Sequence, residues 1–121
     1  MAPAFPVNTQ EFTTDIDGVS TFFIMSAYAD RIMVVATQLG TFGTVLSARG
    51  DALLEGKHTF TVDTLLGKRD EPALAVCARH MAESIVQAGC SRPLLLCLGL
   101  KQHSLDTMRA IIKEVVAHPV W

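Results

Sequence analysis

Cys77 and His80 are the two residues whose types and spacing come closest to a metal site. Lying three positions apart on a predicted helix, they could present two ligands to one zinc ion. A structural zinc site needs four ligands, and no second pair follows at the spacing that such sites use. Cys77 also falls on the apolar stripe of its helix. We therefore expect a buried thiol there, with no metal and no other cofactor.

Two further patterns resemble functional sites, a phosphate-binding loop and a catalytic serine, but structural roles account for both. The segment Gly40-Thr41-Phe42-Gly43-Thr44 is rich in glycine and threonine and has the look of a phosphate-binding loop. It lacks the Gly-Lys-Ser/Thr ending and joins two predicted strands, so a hairpin with positive φ at its glycines is expected. Ser104 lies between His103 and Asp106, but a role as helix N-cap accounts for it. We predict that the chain has no catalytic site and is not an enzyme.

Composition excludes several classes of function. The chain has 121 residues, of which 50% are hydrophobic and 18% are charged, and its net charge is −2. Nucleic-acid binding usually requires a basic surface, and a membrane-spanning helix needs about 20 apolar residues, whereas the longest apolar runs here are 32–36 and 94–100. Three cysteines, an odd number, favour reduced thiols. We expect a soluble protein of the cytoplasm or the nucleus, with no nucleic-acid or membrane partner.

The hydrophobic pattern predicts five strands, a helix, a strand and a helix. Residues 1–8 are expected to form a flexible lead-in to a single domain, 9–121. The predicted strands are 9–16, 19–27, 32–38, 44–49, 58–66 and 94–100. Asp70 is a candidate N-cap before Pro72, where the first helix begins, and Ser104 caps the second. The second helix has apolar residues on one face: Leu105, Met108, Ile111, Ile112, Val115 and Val116.

This layout leaves one side of the sheet without a cover. Six strands span roughly 25–30 Å, and two helices cover one face of a sheet that wide. The runs 32–36 and 94–100 are apolar on both faces, so the second face needs a partner. We predict an α+β fold, order βββββαβα, whose largely antiparallel six-stranded sheet has two α-helices on one face and packs sheet-to-sheet in a dimer through the other. A monomer with an exposed apolar face is the alternative.

The residues of that interface depend on which side of the sheet the helices cover. One side carries Ile32, Val34 and Ala36. For the dimer interface we choose the other side of the central strands, with these residues: Met33, Val35, Thr37, Val45 and Phe60.

Three stretches resemble the proteasome assembly chaperone 3 family. They are Thr37-Gln38-Leu39-Gly40-Thr41-Phe42-Gly43-Thr44 with Ser47, then Leu65-Leu66-Gly67 followed by Asp70-Glu71-Pro72, and finally Val120-Trp121. One departure is visible, because the turn after Gly67 holds two residues, Lys68 and Arg69, where the family pattern has one.

The resemblance implies a chaperone of 20S proteasome assembly that pairs sheet to sheet. Its implied partners are α-type proteasome subunits, held while the α-ring closes and released before the particle matures. The dimer is a homodimer in isolation and in the cell a heterodimer with a sister protein, proteasome assembly chaperone 4. We also expect Trp121 to pack back onto the fold.

Loops on a rigid scaffold commonly carry recognition, so we expect α-type subunits to contact the predicted loop 50–57 and the turn before the first helix. The candidate residues are Gly50, Asp51, Glu55, Lys57, Lys68, Arg69, Asp70 and Glu71. Two other hypotheses remain open at this point. One is a small dimeric α/β adaptor unrelated to the proteasome, and the other is a small enzyme whose site is built across a dimer interface.

Overall fold

The strands and helices follow one another in the predicted order. The computed structural model describes residues 7–54, 57–67 and 71–121, which contain six strands and two helices. The predicted lead-in falls mostly on residues 1–6, outside the described residues. The strands are β1 (Asn8–Ile16), β2 (Val19–Ala27), β3 (Ile32–Thr37), β4 (Thr44–Leu54), β5 (Lys57–Leu66) and β6 (Leu94–Gly99). The helices are α1 (Pro72–Gln87) and α2 (Leu105–Ala117). The predicted α+β class is confirmed.

The six strands form one mixed sheet in the spatial order β1-β2-β3-β6-β4-β5. β6 pairs in parallel with β3, where Val35 lies beside Cys97, and every other neighbouring pair is antiparallel. Because β6 lies between β3 and β4, these two strands do not pair with each other. The predicted hairpin at Gly40 and Gly43 is therefore wrong, and this segment connects two strands across the end of β6.

The connection crosses β6 at close backbone distance. Gly43 has φ +64°, and a Cβ atom added there would overlap the carbonyl oxygen of Leu98 and lie 2.7 Å from Cα of Gly99. A Cβ atom on Gly99 would overlap the carbonyl oxygen of Thr41. Both positions need glycine because the two backbones touch, and the contact fixes the connection to the end of β6.

The predicted loop 50–57 is largely strand. β4 continues through Gly50 and Asp51 to Leu54, and β5 begins at Lys57. Glycine and aspartate have low β propensity, which is why the sequence suggested a loop, but Gly50 pairs with Phe60 of β5, and the pairing resumes at Leu53 after an irregularity. β4 pairs with β6 over its first five residues only, so the rest of β4 forms a two-stranded ribbon with β5.

Pro72 begins α1 as predicted, but the N-cap position belongs to Glu71, which makes no side-chain cap bond. The prediction of Asp70 as N-cap is therefore wrong, and Asp70 itself lies outside the described residues. At α2, the Ser104 hydroxyl accepts a hydrogen bond from the Thr107 backbone N–H at 3.1 Å. This bond satisfies one of the N–H groups that a first helical turn leaves without a partner.

The two helices run side by side in the same direction. Nδ1 of His103, just before α2, lies 3.7 Å from a carboxylate oxygen of Glu71, just before α1. At the other end, the indole Nε1 of Trp121 donates to the carbonyl of Ala88 at 3.4 Å. The predicted packing of Trp121 onto the fold is thus confirmed.

Both helices pack against one face of the sheet in a single core cluster. The helices contribute Leu74, Cys77, Met81, Ile85, Met108, Ile111 and Val115, and the central strands contribute Ile32, Val34, Ala36, Leu46, Leu94, Leu96 and Leu98. Neither helix in the described part of the chain is long and apolar enough to cross a membrane.

We predict that the Gly43→Ala substitution destabilises the fold more than Gly40→Ala does. Gly40 has a similar φ of +73° but open space around its Cα. Alanine there lowers the free energy of unfolding only through the strain of the left-handed conformation, by about 1–2 kcal/mol. At Gly43 the overlap of the added Cβ with the backbone of β6 increases the loss of stability by roughly 2 kcal/mol or more. Urea unfolding of both variants measures the difference, and equal losses would contradict a tight crossing over β6.

Candidate protein-binding surfaces

The sheet face turned away from the helices is apolar at its centre. Side chains alternate between the two faces along each strand, and one row runs across the central strands from Ile24 through Val35 and Cys97 to Val45. We call this surface the open face. On β2, β3, β4 and β6 it comprises Phe22, Ile24, Ser26, Met33, Val35, Thr37, Val45, Ser47, Leu95 and Cys97.

Exposure differs among the apolar residues of the open face. Val35 is 2% exposed and Cys97 is 5% exposed because neighbouring side chains cover them, while Met33 and Leu95 are half-buried and Phe22 is 37% exposed. Burial raises the pKa of the Cys97 thiol, so the centre is uncharged at neutral pH. None of the ten residues named above is charged, and the next side chain on this face of β4 after Ser47 is Arg49. The uncharged centre matches the apolar core of a protein interface.

Charged side chains lie at the margins of this face. Glu11 of β1 pairs with Ile24, and Asp63 of β5 pairs with Ser47. On the ribbon, Arg49 lies 3.9 Å from a carboxylate oxygen of Asp51. An apolar centre with a charged margin is the usual anatomy of a surface that another protein covers.

Four of the five residues predicted for the dimer interface lie on the open face, which is turned away from the helices: Met33, Val35, Thr37 and Val45. Phe60 does not. It pairs with Gly50, on the same side as Ala48, and packs against the core beneath the helices. The side of the sheet on which Phe60 lies depends on the register in which β5 pairs with β4. A β-bulge interrupts that pairing, and neither strand's own sequence reveals the register, so the side could not be predicted.

Those predicted partner-binding residues that the structure describes do not form one cluster. Four of them lie outside the described residues: Glu55, Lys68, Arg69 and Asp70. Gly50 and Asp51 lie on β4 and Lys57 opens β5, so these three belong to the ribbon. Glu71 precedes α1, which follows the opposite end of the β4–β5 pair.

Residues considered for chemistry have structural roles. Cys77 is 2% exposed, and burial raises the pKa of its thiol to about 12, so the thiol stays neutral. The Ser104 hydroxyl caps α2, as described above. Among the described residues, no three His, Cys, Asp or Glu side chains come together in a way that could hold a metal ion.

The sequence did not predict a groove between the two helices. It has a volume of about 270 Å³, and its lining includes Val76, Cys77, His80, Leu105, Arg109 and Ile112. We call it the helix groove. Leu105 and Val116 were expected on the core side of α2, but they are 57% and 37% exposed.

A signal for this groove was present in the sequence. At 100° per residue, the six apolar residues of α2 span an arc of about 140°, wider than the stripe of roughly 100° that one packed face requires. Leu105 and Val116 lie at one margin of that arc, which the core does not reach.

The fold and these surfaces define an α+β domain suited to contact with other proteins, and comparisons with known proteins give its family. Residues 34–117 match the family model described as proteasome assembly chaperone 3. The chain is 32% identical over 117 residues to proteasome assembly chaperone 3 of Bos taurus, covering 95% of each chain. It is 35% identical over 109 residues to that of Nematostella vectensis, covering 83% of this chain and 80% of the relative.

The chain therefore belongs to the proteasome assembly chaperone 3 family, as its motifs suggested. These are non-catalytic assembly chaperones, so the prediction that the chain is not an enzyme is confirmed. The fold also resembles a chain in the crystal structure of a chaperone complex for yeast 20S proteasome assembly. The TM-score is 0.69 and the identity 15%, with 87% of this chain and 93% of the other covered.

We predict that the buried Cys77 thiol makes folding stability fall above pH 9. A folded pKa near 12, against 9.0 for the free thiol, means that only the unfolded chain ionises between these values. The stability that the neutral, buried thiol contributes is fully present below pH 9 and is lost as the pH rises toward 12. Between pH 8 and 10 the wild type should lose about 1.4 kcal/mol more than Cys77→Ala. Urea unfolding at both pH values measures this, and parallel losses would contradict it.

Proposed function

We propose that this chain assists 20S proteasome assembly as a dimer that holds α-type subunits while the α-ring forms and leaves before the particle is complete. Family membership supports the assembly role. The open face is the observation that carries the dimer, since the two helices cover only the other side of the sheet. In the cell the second subunit is the sister protein, proteasome assembly chaperone 4, and the isolated chain pairs with itself.

Sheet-to-sheet packing suits the composition of the open face. Two sheets that pack face to face lie about 10 Å apart and interdigitate their inward side chains. Met33, Val45 and Leu95 are half-buried in the single chain, so each has apolar surface left for a partner to cover. The charged residues at the margins, such as Glu11 and Asp63, stay hydrated around this contact.

The proposed dimer leaves the ribbon and the start of α1 free for α-type subunits. Asp51 on the ribbon accepts a hydrogen bond from the Thr61 hydroxyl, which fixes its carboxylate on the strand pair. Glu71 is held near His103 before the two helices. Each carboxylate thus has a side-chain partner within the chain, and both residues remain candidates for client contact.

We predict that Met33→Glu and Val45→Asp each convert the isolated chain from dimer to monomer. Each places a carboxylate where two apolar faces meet, and a buried unpaired charge is strongly unfavourable. Val116→Asp, on the outer side of α2, is the matched control and should leave the dimer intact. Light scattering after size-exclusion chromatography gives the mass, which is about twice the 13.1 kDa chain for a dimer. A folded Met33→Glu variant that remains dimeric would exclude the open face as the interface.

We predict that the tagged chain isolated from its own cells retains α-type proteasome subunits and a small sister protein, without β-type subunits. Mass spectrometry of the bound proteins measures this. Met33→Glu should lose the sister protein, whereas Val116→Asp should keep it. Recovery of complete proteasomes would place the chain on the finished particle, and recovery of no proteasome subunit would favour an adaptor of another kind.

A further inference from the structure

The helix groove is an apolar surface on the outer side of the helices, and its floor adjoins the core. Its two margins carry exposed apolar side chains, Val76 of α1 at 45% and Leu105 of α2 at 57% exposure. Because the helices cover the sheet face opposite the open face, a sheet-to-sheet dimer turns both grooves outward. The groove is therefore accessible while the proposed dimer is intact.

The charge in this groove is positive, although the chain as a whole has a net charge of −2. Arg109 lines the groove, and among the described residues it forms no salt bridge. None of the groove's lining residues is acidic. On α1 and its N-cap, Glu71 and Glu83 each lie beside another basic side chain. Asp106, three residues from Arg109, is not within 4.0 Å of it either. The guanidinium is thus available to a carboxylate from another molecule.

The floor of the groove is uncharged. Cys77 lies at its base, and burial keeps its thiol neutral over the physiological range. Met108, 2% exposed, and half-buried Ile112 continue the apolar lining. A bulky apolar side chain would be well accommodated on this floor, and its burial would remove Val76 and Leu105 from water.

We propose that the helix groove binds an acidic, apolar segment of an α-type subunit, in which a bulky apolar side chain packs between Val76 and Leu105 and a neighbouring carboxylate pairs with Arg109. The inference rests on the function proposed above and adds the site and the chemistry of client contact. Charge complementarity selects this occupant. A second copy of the chain does not fit, because the sheet-to-sheet dimer points the two grooves away from each other.

The test measures the affinity of the full-length dimer for individual recombinant α-type subunits by biolayer interferometry, at low and moderate salt. Arg109→Glu should weaken the tightest complex by about tenfold or more, and Arg109→Lys by no more than about threefold, because lysine keeps the charge. Leu105→Ser removes apolar contact and should weaken the complex by about tenfold. Raising the salt concentration should reduce the affinity of the wild type more than the affinity of Arg109→Gln, because the variant has no charge to screen at this position.

Lys113→Glu is the matched control, because it makes the same change in charge one turn further along α2, outside the groove lining. The affinity of the Lys113→Glu variant for the α-type subunit should stay within about twofold of the wild-type affinity if the contact is local. Equal losses in Lys113→Glu and Arg109→Glu would show general electrostatic attraction, and no loss in the Arg109 and Leu105 variants would place the client elsewhere. Either result overturns the groove and leaves the proposed function standing. Failure of every α-type subunit to bind the wild type overturns both.

Discussion

The insertion of β6 between β3 and β4 is the contact on which the rest of the structure depends. β6 forms backbone hydrogen bonds on both of its edges, in parallel to β3 and antiparallel to β4, and so joins the two halves of the sheet. Its side chains serve both faces, with Leu94, Leu96 and Leu98 beneath the helices and Leu95 and Cys97 on the open face. A polar residue at any of these positions would disturb one of two apolar layers, which explains a strand without charge.

Much of the fold could be predicted because its signals are local. Strand alternation, the Ser104 cap and the position of Pro72 each depend on a few neighbouring residues, and the element bounds agree with the structure to within one or two residues at most ends. Strand order and register are different, since they depend on which distant segments pair. For this reason the sequence suggested a hairpin at Gly40 and misplaced Phe60. The loop expected through residues 50–57 has another cause, the low β propensity of glycine and aspartate.

For the candidate surfaces, too, local features could be predicted and features that depend on distant segments could not. The sequence required an uncovered apolar face, because the runs 32–36 and 94–100 are apolar on both sides, but it could not say which side the helices cover. The helix groove arises from how two parallel helices lie side by side. That arrangement follows from how both helices pack on one core, with contacts at their two ends between residues distant in sequence, His103 near Glu71 and Trp121 on Ala88. Only the width of the apolar arc on α2 indicated it.

The two surfaces differ in a way that suits an assembly chaperone. Interfaces between permanent partners are extended and apolar, whereas contacts that must release again are smaller and more polar. The open face spans four strands and its charged side chains lie at the margins, so it has the character of a lasting contact between subunits. The helix groove is small and half-open, and it carries one unpaired guanidinium among the described residues. Binding there depends partly on an exposed ion pair, which is weak and screened by salt. In the proposed dimer the strong contact holds the chaperone together, and the weaker one lets the client leave.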